Sequence, residues 1–519
     1  KVQSSPMNRA RHLLQSSVIV IVLLGIDKIF GLVRTQLVGA TFGTSRAYDA
    51  FTAANQLPEV FVTLISGGAL AAAFIPVYSA YLNSEKSRES GRLANTILTL
   101  VLLALSSISA LGALFAPWIT RHILVPGFTS EMQMLTAGLM RIILVQTTIF
   151  GVSGVLSSIL NAHQHFILPA LAPIALNVGY VLGLLFLVPS LGIYGLAWGT
   201  VIGAVLHVLI QLPGLWRYRV HLRPSLGLNI PGVHEIIRLM GPRIVTLGAV
   251  QVADLFIIRI TSGLSDGATS GYFYGYYLQQ LPETLFGTAV ALVLFPTMAE
   301  FFNSGDLAGL KRVASTGLRI IWMLTVPAAA LLILLGRPAI SVLLERGAFT
   351  SESTQLVYSI VVFFSVRVVS EATLEIAARL FFAQHNTKTP MFVALGWLLT
   401  NIVLAYLLVD ALGVGGLALA SSIAFTAQTA VLLYLNHRRL QGLDWKELGL
   451  SFGRTFLATL GMSLVILGIG RVINQPLLFL VVAGTAGVAA YVIFNLLLNG
   501  REIPALLSLI RRQKSSSSG

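Results

Sequence analysis

Cysteine is absent from the 519-residue chain, and charged residues make up only 10% of it. Without cysteine the protein can form neither a disulfide nor a thiolate metal site. Hydrophobic residues account for 55% of the chain, and many lie in apolar runs long enough to cross a bilayer, which takes about 18 residues. These features exclude a soluble globular fold and indicate an all-α polytopic membrane protein.

Catalytic motifs are missing as well. The polar breaks between the apolar runs are short, and the chain contains neither GxxxxGK[ST] nor HExxH. We therefore expect a transporter rather than an enzyme, without a cofactor. The energy for transport then has to come from an ion gradient or from the membrane potential.

The net charge of +14 does not indicate nucleic-acid binding. Basic residues concentrate in alternate breaks between the apolar runs, as in Arg217, Arg219 and Arg223, which is the bias of cytoplasmic loops. This pattern predicts that both termini are cytoplasmic. The first apolar run lacks a small-residue cleavage site, so we expect it to be retained as a membrane helix.

The apolar runs predict fourteen transmembrane helices. Their approximate spans are 12–41, 47–82, 92–118, 132–161, 167–190, 193–216, 232–263, 268–302, 311–335, 353–384, 389–410, 414–436, 450–470 and 476–498.

Four short sequences recur about 220 residues further along the chain and in the same order, which indicates an internal duplication. The pairs are FIPVYSAYLNS and LFPTMAEFFNS, GFTSE and AFTSE, AHQHFILP and AQHNTKTP, and GIYGLA and GVGGLA. Helices one to six and seven to twelve are therefore predicted to form two pseudo-symmetric six-helix lobes, a transporter design. We predict an N-lobe at 1–222, a C-lobe at 223–440, helices thirteen and fourteen at 441–500, and a cytoplasmic tail at 501–519 that ends in an expression remnant.

Charges inside helix one need an explanation, because a lone charge at the bilayer centre costs about 2.5–3.5 kcal/mol. Asp27, Lys28 and Arg34 all lie within this run. Asp27 and Lys28 are sequence neighbours and point roughly 100° apart on a helix. We expect one of them to pair laterally, and we favour Lys28 and Arg34 as residues that face a cleft between the lobes.

Helix ten carries four charges at intervals of four residues, which places them on one stripe of the helix. They are Arg367, Glu371, Glu375 and Arg379. One interpretation is two internal ion pairs that neutralise each other. The other is that the stripe lines the cleft and contacts a polar substrate or a coupling ion.

Three long stretches carry a family resemblance. They are GIDKIFGLVRTQLVGATFGTSRAYDAFTAANQLPEVF, LMRIILVQTTIFGVSGVLSSILNAHQHFILP, and LLERGAFTSEST followed by ARLFFAQHNTKTPM. The chain resembles the MurJ (MviN) family of lipid II flippases, which belongs to the multidrug/oligosaccharidyl-lipid/polysaccharide exporter group. The resemblance implies a central cationic cavity between two lobes, and a groove at helices thirteen and fourteen for the undecaprenyl tail.

The resemblance also implies roles for single residues. Arg34 takes the place of an arginine in the family's SRxLGxxR pattern, Lys28 replaces the first arginine of that pattern, and Asp49 is the aspartate of the DAF motif. Tyr277 stands where a helix-eight arginine is expected, and we hypothesise that the helix-ten charges substitute for it. Arg243 in helix seven completes the predicted substrate-binding set, although it could instead reach the lipid head groups.

Sodium coupling in some members uses polar groups on helices seven, eleven and twelve. Asn401 and Ser421 match two such positions, but Ala405 stands where a carboxylate is wanted. The resemblance therefore does not favour sodium coupling, and the membrane potential is the expected driving force.

We accordingly expect a monomeric flippase of the bacterial cytoplasmic membrane. Its partners would be membrane lipids and a lipid-linked sugar, with lipid II carried from the inner to the outer leaflet by alternating access. The alternatives are a flippase for another lipid-linked oligosaccharide and a cation-coupled drug antiporter of the same superfamily. A membrane glycosyltransferase is disfavoured because long loops with clustered acids are missing.

Overall fold

A computed structural model of the protein describes residues 6–82, 87–218 and 220–498, and the secondary structure of this part is helical. Contacts divide the chain into two compact units, Lys1–Thr269 and Ser270–Gly519. The helices of the first unit are α1 Pro6–Phe42, α2 Arg46–Phe61, α3 Gly68–Leu82, α4 Ser87–Leu114, α5 Ala116–Ile119, α6 Ser130–Ala162, α7 Ile167–Leu182, α8 Val188–Leu191, α9 Ile193–Leu209, α10 Leu212–Arg217 and α11 Pro231–Thr261.

The second unit contains most of α12 and all later helices. These are α12 Ala268–Pro282, α13 Ala289–Asn303, α14 Leu307–Leu344, α15 Ser351–Ala383, α16 Lys388–Arg439, α17 Trp445–Gly470 and α18 Pro476–Leu497. Single π-helical turns join several helices: Val62–Gly67 lies between α2 and α3, and Glu283–Thr288 lies between α12 and α13.

The core of the first unit is formed by α3, α4, α6 and α11. Phe74, Leu93, Ile159 and Ile236 come from these four helices, and each is completely buried. The backbone N–H of Gly232 also donates to the hydroxyl of Tyr81 at 3.2 Å. Helix α11 therefore packs with the first unit, so the packing division falls at 269/270, whereas the lobe boundary predicted from the repeats is at 222/223.

The core of the second unit lies among α13, α14, α15 and α16. Leu318, Ile376 and Leu432 are among its buried members. Helices α17 and α18 pack against α14: Met323 and Met462 belong to one buried cluster, and the hydroxyl of Tyr491 donates to the carbonyl of Met323 at 2.6 Å. The two C-terminal helices are thus attached to the outside of this core through α14.

Backbone geometry repeats at the spacing of the duplicated sequences. Gly192 has φ 57° and ψ −138°, and Gly413, which lies 221 positions later, has φ 57° and ψ −137°. Gln164 and His385 have positive φ at the same spacing. The two π-helical turns that begin at Val62 and Glu283 are also 221 positions apart. The same unusual local structures therefore occur twice in the chain.

Ten described helices are long and apolar enough to cross a membrane, or eleven if the bent pair Pro231–Val245 and Leu247–Thr261 is one span. The fourteen predicted segments fall on helical stretches, but segments 389–410 and 414–436 are joined in α16 across the turn at Gly413. The protein is thus an all-helical, multi-pass membrane protein. The predicted tail 501–519 lies outside the described residues.

Candidate functional site

Two of the embedded charges of α1 lie beside α7. The amide of Asn177 donates to the carboxylate of Asp27 at 2.9 Å, which is the lateral pairing expected for one member of the Asp27–Lys28 pair. The side chain of Lys28 is exposed. The guanidinium of Arg34 is half-buried and lies 4.7 Å from the ring centre of Tyr180, a cation–π distance. Helix α1 therefore holds Asp27 in place and leaves Lys28 accessible.

Asp49 stabilises a loop of the first unit. Its carboxylate is 1% exposed and accepts the backbone N–H of Gly267 at 2.7 Å. Gly267 has φ +81°, and a Cβ added there would lie 2.6 Å from the carbonyl oxygen of Thr44, so the loop approaches α2 more closely than a side chain permits. Nearby, Arg46 and Asp266 form an exposed ion pair of 2.7 Å. In this conformation Asp49 binds protein backbone, which occupies the carboxylate.

Arg259 makes a further connection within the first unit. Its guanidinium donates to the carbonyls of His122 and Ile123 at 2.7 and 2.9 Å.

Arg243, on the same helix, is exposed and lies close to the 42° bend between the two halves of α11. Tyr277 of α12, which stands where the resemblance implies an arginine, is also exposed, at 49%.

The helix-ten ladder forms two ion pairs within α15, as the first interpretation of its spacing predicts. Arg367 contacts Glu371 at 2.9 Å, and Arg379 pairs with Glu375. The environments of the two pairs differ: the side chains of Arg367 and Glu371 are 7% and 14% exposed, whereas those of Arg379 and Glu375 are 18% and 30% exposed. The first pair is therefore the more deeply buried.

Arg367 lies in a nearly closed socket. Its guanidinium donates to the hydroxyl of Ser421 at 2.8 Å and lies 4.1 Å from the ring centre of Phe425 and 5.0 Å from that of Tyr276. A buried guanidinium needs such a set of acceptors and π faces to replace its hydration. In this conformation the partners of the Arg367 guanidinium are therefore supplied by the protein itself.

The sodium hypothesis can be tested against the same socket. Ser421, one of the two matching positions, contacts the Arg367 guanidinium, which would repel a cation. Asn401 is 3% exposed, and its side-chain oxygen has no hydrogen-bond partner. Across the described residues there is no group of three His, Asp or Glu side chains that could hold a metal ion. The guanidinium beside Ser421 therefore disfavours a cation at that position, while Asn401 offers one unpartnered oxygen.

The sequence-based choice of site residues omitted Glu283, although this residue lies inside an apolar helix. Glu283 is 4% exposed and begins a π-helical turn, a local structure that is frequent at functional sites. Its counterpart in the first repeat is the apolar Val62. An acid in one copy of a repeat and a hydrophobic residue in the other was the signal that could have identified it.

The fold and the embedded charges define a class, namely a polytopic α-helical transporter. Its helices resemble those of two solved structures. The first is "Lipid II flippase MurJ, inward closed conformation", with a TM-score of 0.80, 24% identity, and coverage of 92% of this chain and 98% of the other. The second is an inward-facing multidrug resistance MATE family transporter, with a TM-score of 0.69, 13% identity, and coverage of 82% and 98%.

Sequence comparison identifies the family. The family model described as "Lipid II flippase MurJ" matches residues 38–484. Lipid II flippase MurJ of Burkholderia cenocepacia is 28% identical over 454 residues, which cover 86% of this chain and 87% of that protein. Probable lipid II flippase MurJ of Thermotoga maritima is 30% identical, with coverage of 93% and 96%. The chain belongs to the MurJ family, and the resemblance seen in the sequence is confirmed.

Proposed function

We propose that this protein is a lipid II flippase that moves undecaprenyl-diphosphate-linked peptidoglycan precursor from the inner to the outer leaflet by alternating access. The observation that carries the proposal is the family match along residues 38–484. The cations of α1 support it, because Lys28 is exposed and Arg34 is half-buried within a membrane helix. Such residues within a bilayer usually serve a function.

The physical obstacle in this reaction is the diphosphate head. Phosphates and sugars lose their hydration in hydrocarbon at a high cost in free energy. Lys28 and Arg34 would replace that hydration with charge-assisted hydrogen bonds, and the arginine could contact phosphate with two parallel N–H groups. The polyprenyl tail can remain in the lipid during transfer.

The proposed membrane arrangement has fourteen spans, with two six-helix lobes at 1–222 and 223–440 and two further helices at 441–500. The backbone geometry that recurs at Gly192 and Gly413 supports the duplication. In this arrangement α17 and α18 hold the lipid tail, and both termini lie in the cytoplasm. The protein would work as a monomer in the bacterial cytoplasmic membrane without any catalytic step.

The membrane potential is the proposed driving force. With a negative interior, outward movement of an anionic head is favourable by about 2.3 kcal/mol per charge per 100 mV. This contribution needs no cofactor and no sodium ion, in keeping with the Arg367 guanidinium that binds Ser421.

The decisive experiment is rescue of a MurJ-depleted bacterium, with lipid II accessible at the outer leaflet as the readout. The wild-type chain should restore growth and accessibility, whereas Arg34→Ala should reduce the flipping rate by about tenfold or more, equivalent to about 1.4 kcal/mol of barrier. Arg471→Ala, which removes an exposed cation from the end of α17, is the matched control and should behave as wild type. Full flipping by the Arg34 variant, with normal folding, would contradict the cationic mechanism.

A further inference from the structure

Glu283 is a membrane-embedded carboxyl group that the proposed flippase mechanism does not use. It is 4% exposed, and its oxygens accept hydrogen bonds from two hydroxyls, Thr284 at 3.3 Å and Thr288 at 3.1 Å. Among the described residues, no Lys, Arg or His side chain forms an ion pair with it. Two hydroxyl hydrogen bonds are a weak substitute for the hydration of a full negative charge.

The charged groups on the neighbouring helices do not supply a counter-ion. Helix α15 brings Glu371 and Glu375 close enough to interact electrostatically with Glu283, and both are already paired with arginines of that helix. On α14, Arg319 pairs with Glu447, and Lys311 donates to a backbone carbonyl. Arg312 and Arg337 of the same helix are exposed. The acid of α13, Glu300, lies near the C-terminal end of that helix. Among the described residues, these helices therefore leave no unpaired cation close enough to act as a counter-ion for Glu283.

Gln279 supplies an independent indication of what the site lacks. This residue is completely buried one turn before Glu283, and its amide nitrogen donates to Glu371 at 3.1 Å. Its amide oxygen, however, is buried without a hydrogen-bond partner. A buried acceptor without a donor costs about 1–3 kcal/mol, so the position calls for a hydrogen that the described side chains do not provide.

Packing around Glu283 leaves little space for a hydrated ion. A Cβ added to Gly287 would lie 2.7 Å from the Cβ of Ala372 and 2.9 Å from a carboxylate oxygen of Glu283. The π-helical turn is therefore pressed against α15. A proton, which needs no additional volume, is the cation that such a site can accept.

We propose that Glu283 is a proton-binding site, and that its protonated carboxyl group satisfies the buried polar cluster formed with Gln279 and Glu371. One proton from water adds to a carboxylate oxygen, and the charge of the group changes from −1 to zero. Protonation removes the unpaired negative charge one helical turn from the unpartnered oxygen of Gln279. No other bond is formed or broken.

The consequence for transport rests on the proposed flippase function. A site that takes up a proton in this sealed conformation, and releases it when the cluster opens to water, makes the transport cycle sensitive to pH. The second unit would thereby couple the cycle to a proton, separately from the cations of α1.

The first test is infrared spectroscopy of the purified full-length protein at neutral pH. The wild type should show the C=O band of a protonated carboxylic acid, and Glu283→Gln should lose it. Glu447→Gln, which changes an acid paired at the surface of α17, is the control and should keep it. If the Gln variant does not fold, Thr288→Val removes one hydrogen bond to the same carboxyl group and should shift the band instead.

A spectrum without a protonated carboxyl band, or a band that neither Glu283→Gln nor Thr288→Val alters, would overturn the proton site regardless of transport. The second test measures lipid II flipping in proteoliposomes with and without a pH difference. The wild-type rate should change several-fold and that of Glu283→Gln should not. An equal response in both proteins would refute the coupling. The band without any flipping would refute the flippase proposal and leave the proton site intact.

Discussion

The two compact units differ in how they surround an arginine that lies within an apolar helix. In the first unit Arg34 is half-buried, contacts the ring of Tyr180 and interacts electrostatically with Glu59, but it forms no ion pair within 4 Å among the described residues. In the second unit Arg367 is 6% exposed, with a carboxylate, a hydroxyl and several rings around its guanidinium. The same residue type is therefore half-buried with few partners in one unit and enclosed by partners in the other.

This difference teaches that the presence of a charge in an apolar helix does not identify a binding residue. What matters is whether the protein has already supplied its partners. Arg34 has incomplete partners, which favours a role in substrate binding. The socket of Arg367 is complete, which favours a role in holding α15 against α16.

The largest effect should come from removing Glu371, the counter-ion of the buried Arg367. Glu371→Ala leaves Arg367 buried with no carboxylate, and such changes cost about 3–5 kcal/mol. Glu375→Ala breaks the more exposed pair and should cost about 0.5 kcal/mol, as is typical of pairs four residues apart on a helix. Thermal unfolding in detergent measures both. Equal losses of stability in the two variants would contradict the difference in burial between the Arg367–Glu371 and Arg379–Glu375 pairs.

A moderate effect is expected from adding a side chain to Gly287, where the π-helical turn of Glu283 packs closely against α15. Gly287→Ala puts a methyl group 2.7–2.8 Å from Ala372, so backbone has to move, at a cost of about 1–3 kcal/mol. Gly449→Ala is the matched control, because a Cβ there meets nothing within 4 Å and the residue lies inside helix α17. If both variants unfold at the wild-type temperature, the second unit is less tightly packed at this point than the distances indicate.

The smallest effect should be a pH slope from the first unit. Burial lowers the pKa of His163, which is stacked on Tyr218 at 4.6 Å just beyond the end of α6. Burial, and secondarily the charge of Arg217, also lowers the pKa of His165. The folded protein then binds fewer protons than the unfolded chain, so stability should fall as the pH drops below the unfolded pKa of about 6.5.

Unfolding temperatures measured between about pH 7.5 and pH 5, on either side of the unfolded histidine pKa of about 6.5, give this dependence of stability on pH. His163→Gln should flatten it, and His234→Gln, at an exposed position of α11, should leave it unchanged. A slope that survives the His163 change would have to be assigned to other groups, such as His165 or the half-buried His207 of α9.

The helices were predictable from the sequence because apolar runs and their breaks depend on local composition. The duplication was visible for the same reason, since GIYGLA and GVGGLA require the same turn at Gly192 and Gly413. The division between compact units was not predicted, because the packing of α11 on α3 depends on contacts such as Gly232 with Tyr81.

The environments of single charges could not be predicted from the sequence. The spacing of Arg367 and Glu371 indicated a pair but not its burial, which depends on Ser421 and Phe425 from another helix. Likewise, the DAF motif marked Asp49 but not its hydrogen bond to Gly267, which lies 218 positions away. Both outcomes depend on tertiary contacts between distant segments.

The turn at Gly413 has a practical consequence for anyone who labels this protein. Its dihedral angles are those of the first central residue of a type II′ turn, a place that glycine fills without strain. The two halves of α16 therefore join with no spare backbone between them. An epitope or protease site inserted at Gly413 would therefore have to break this turn, even though the missing side chain has open space around it.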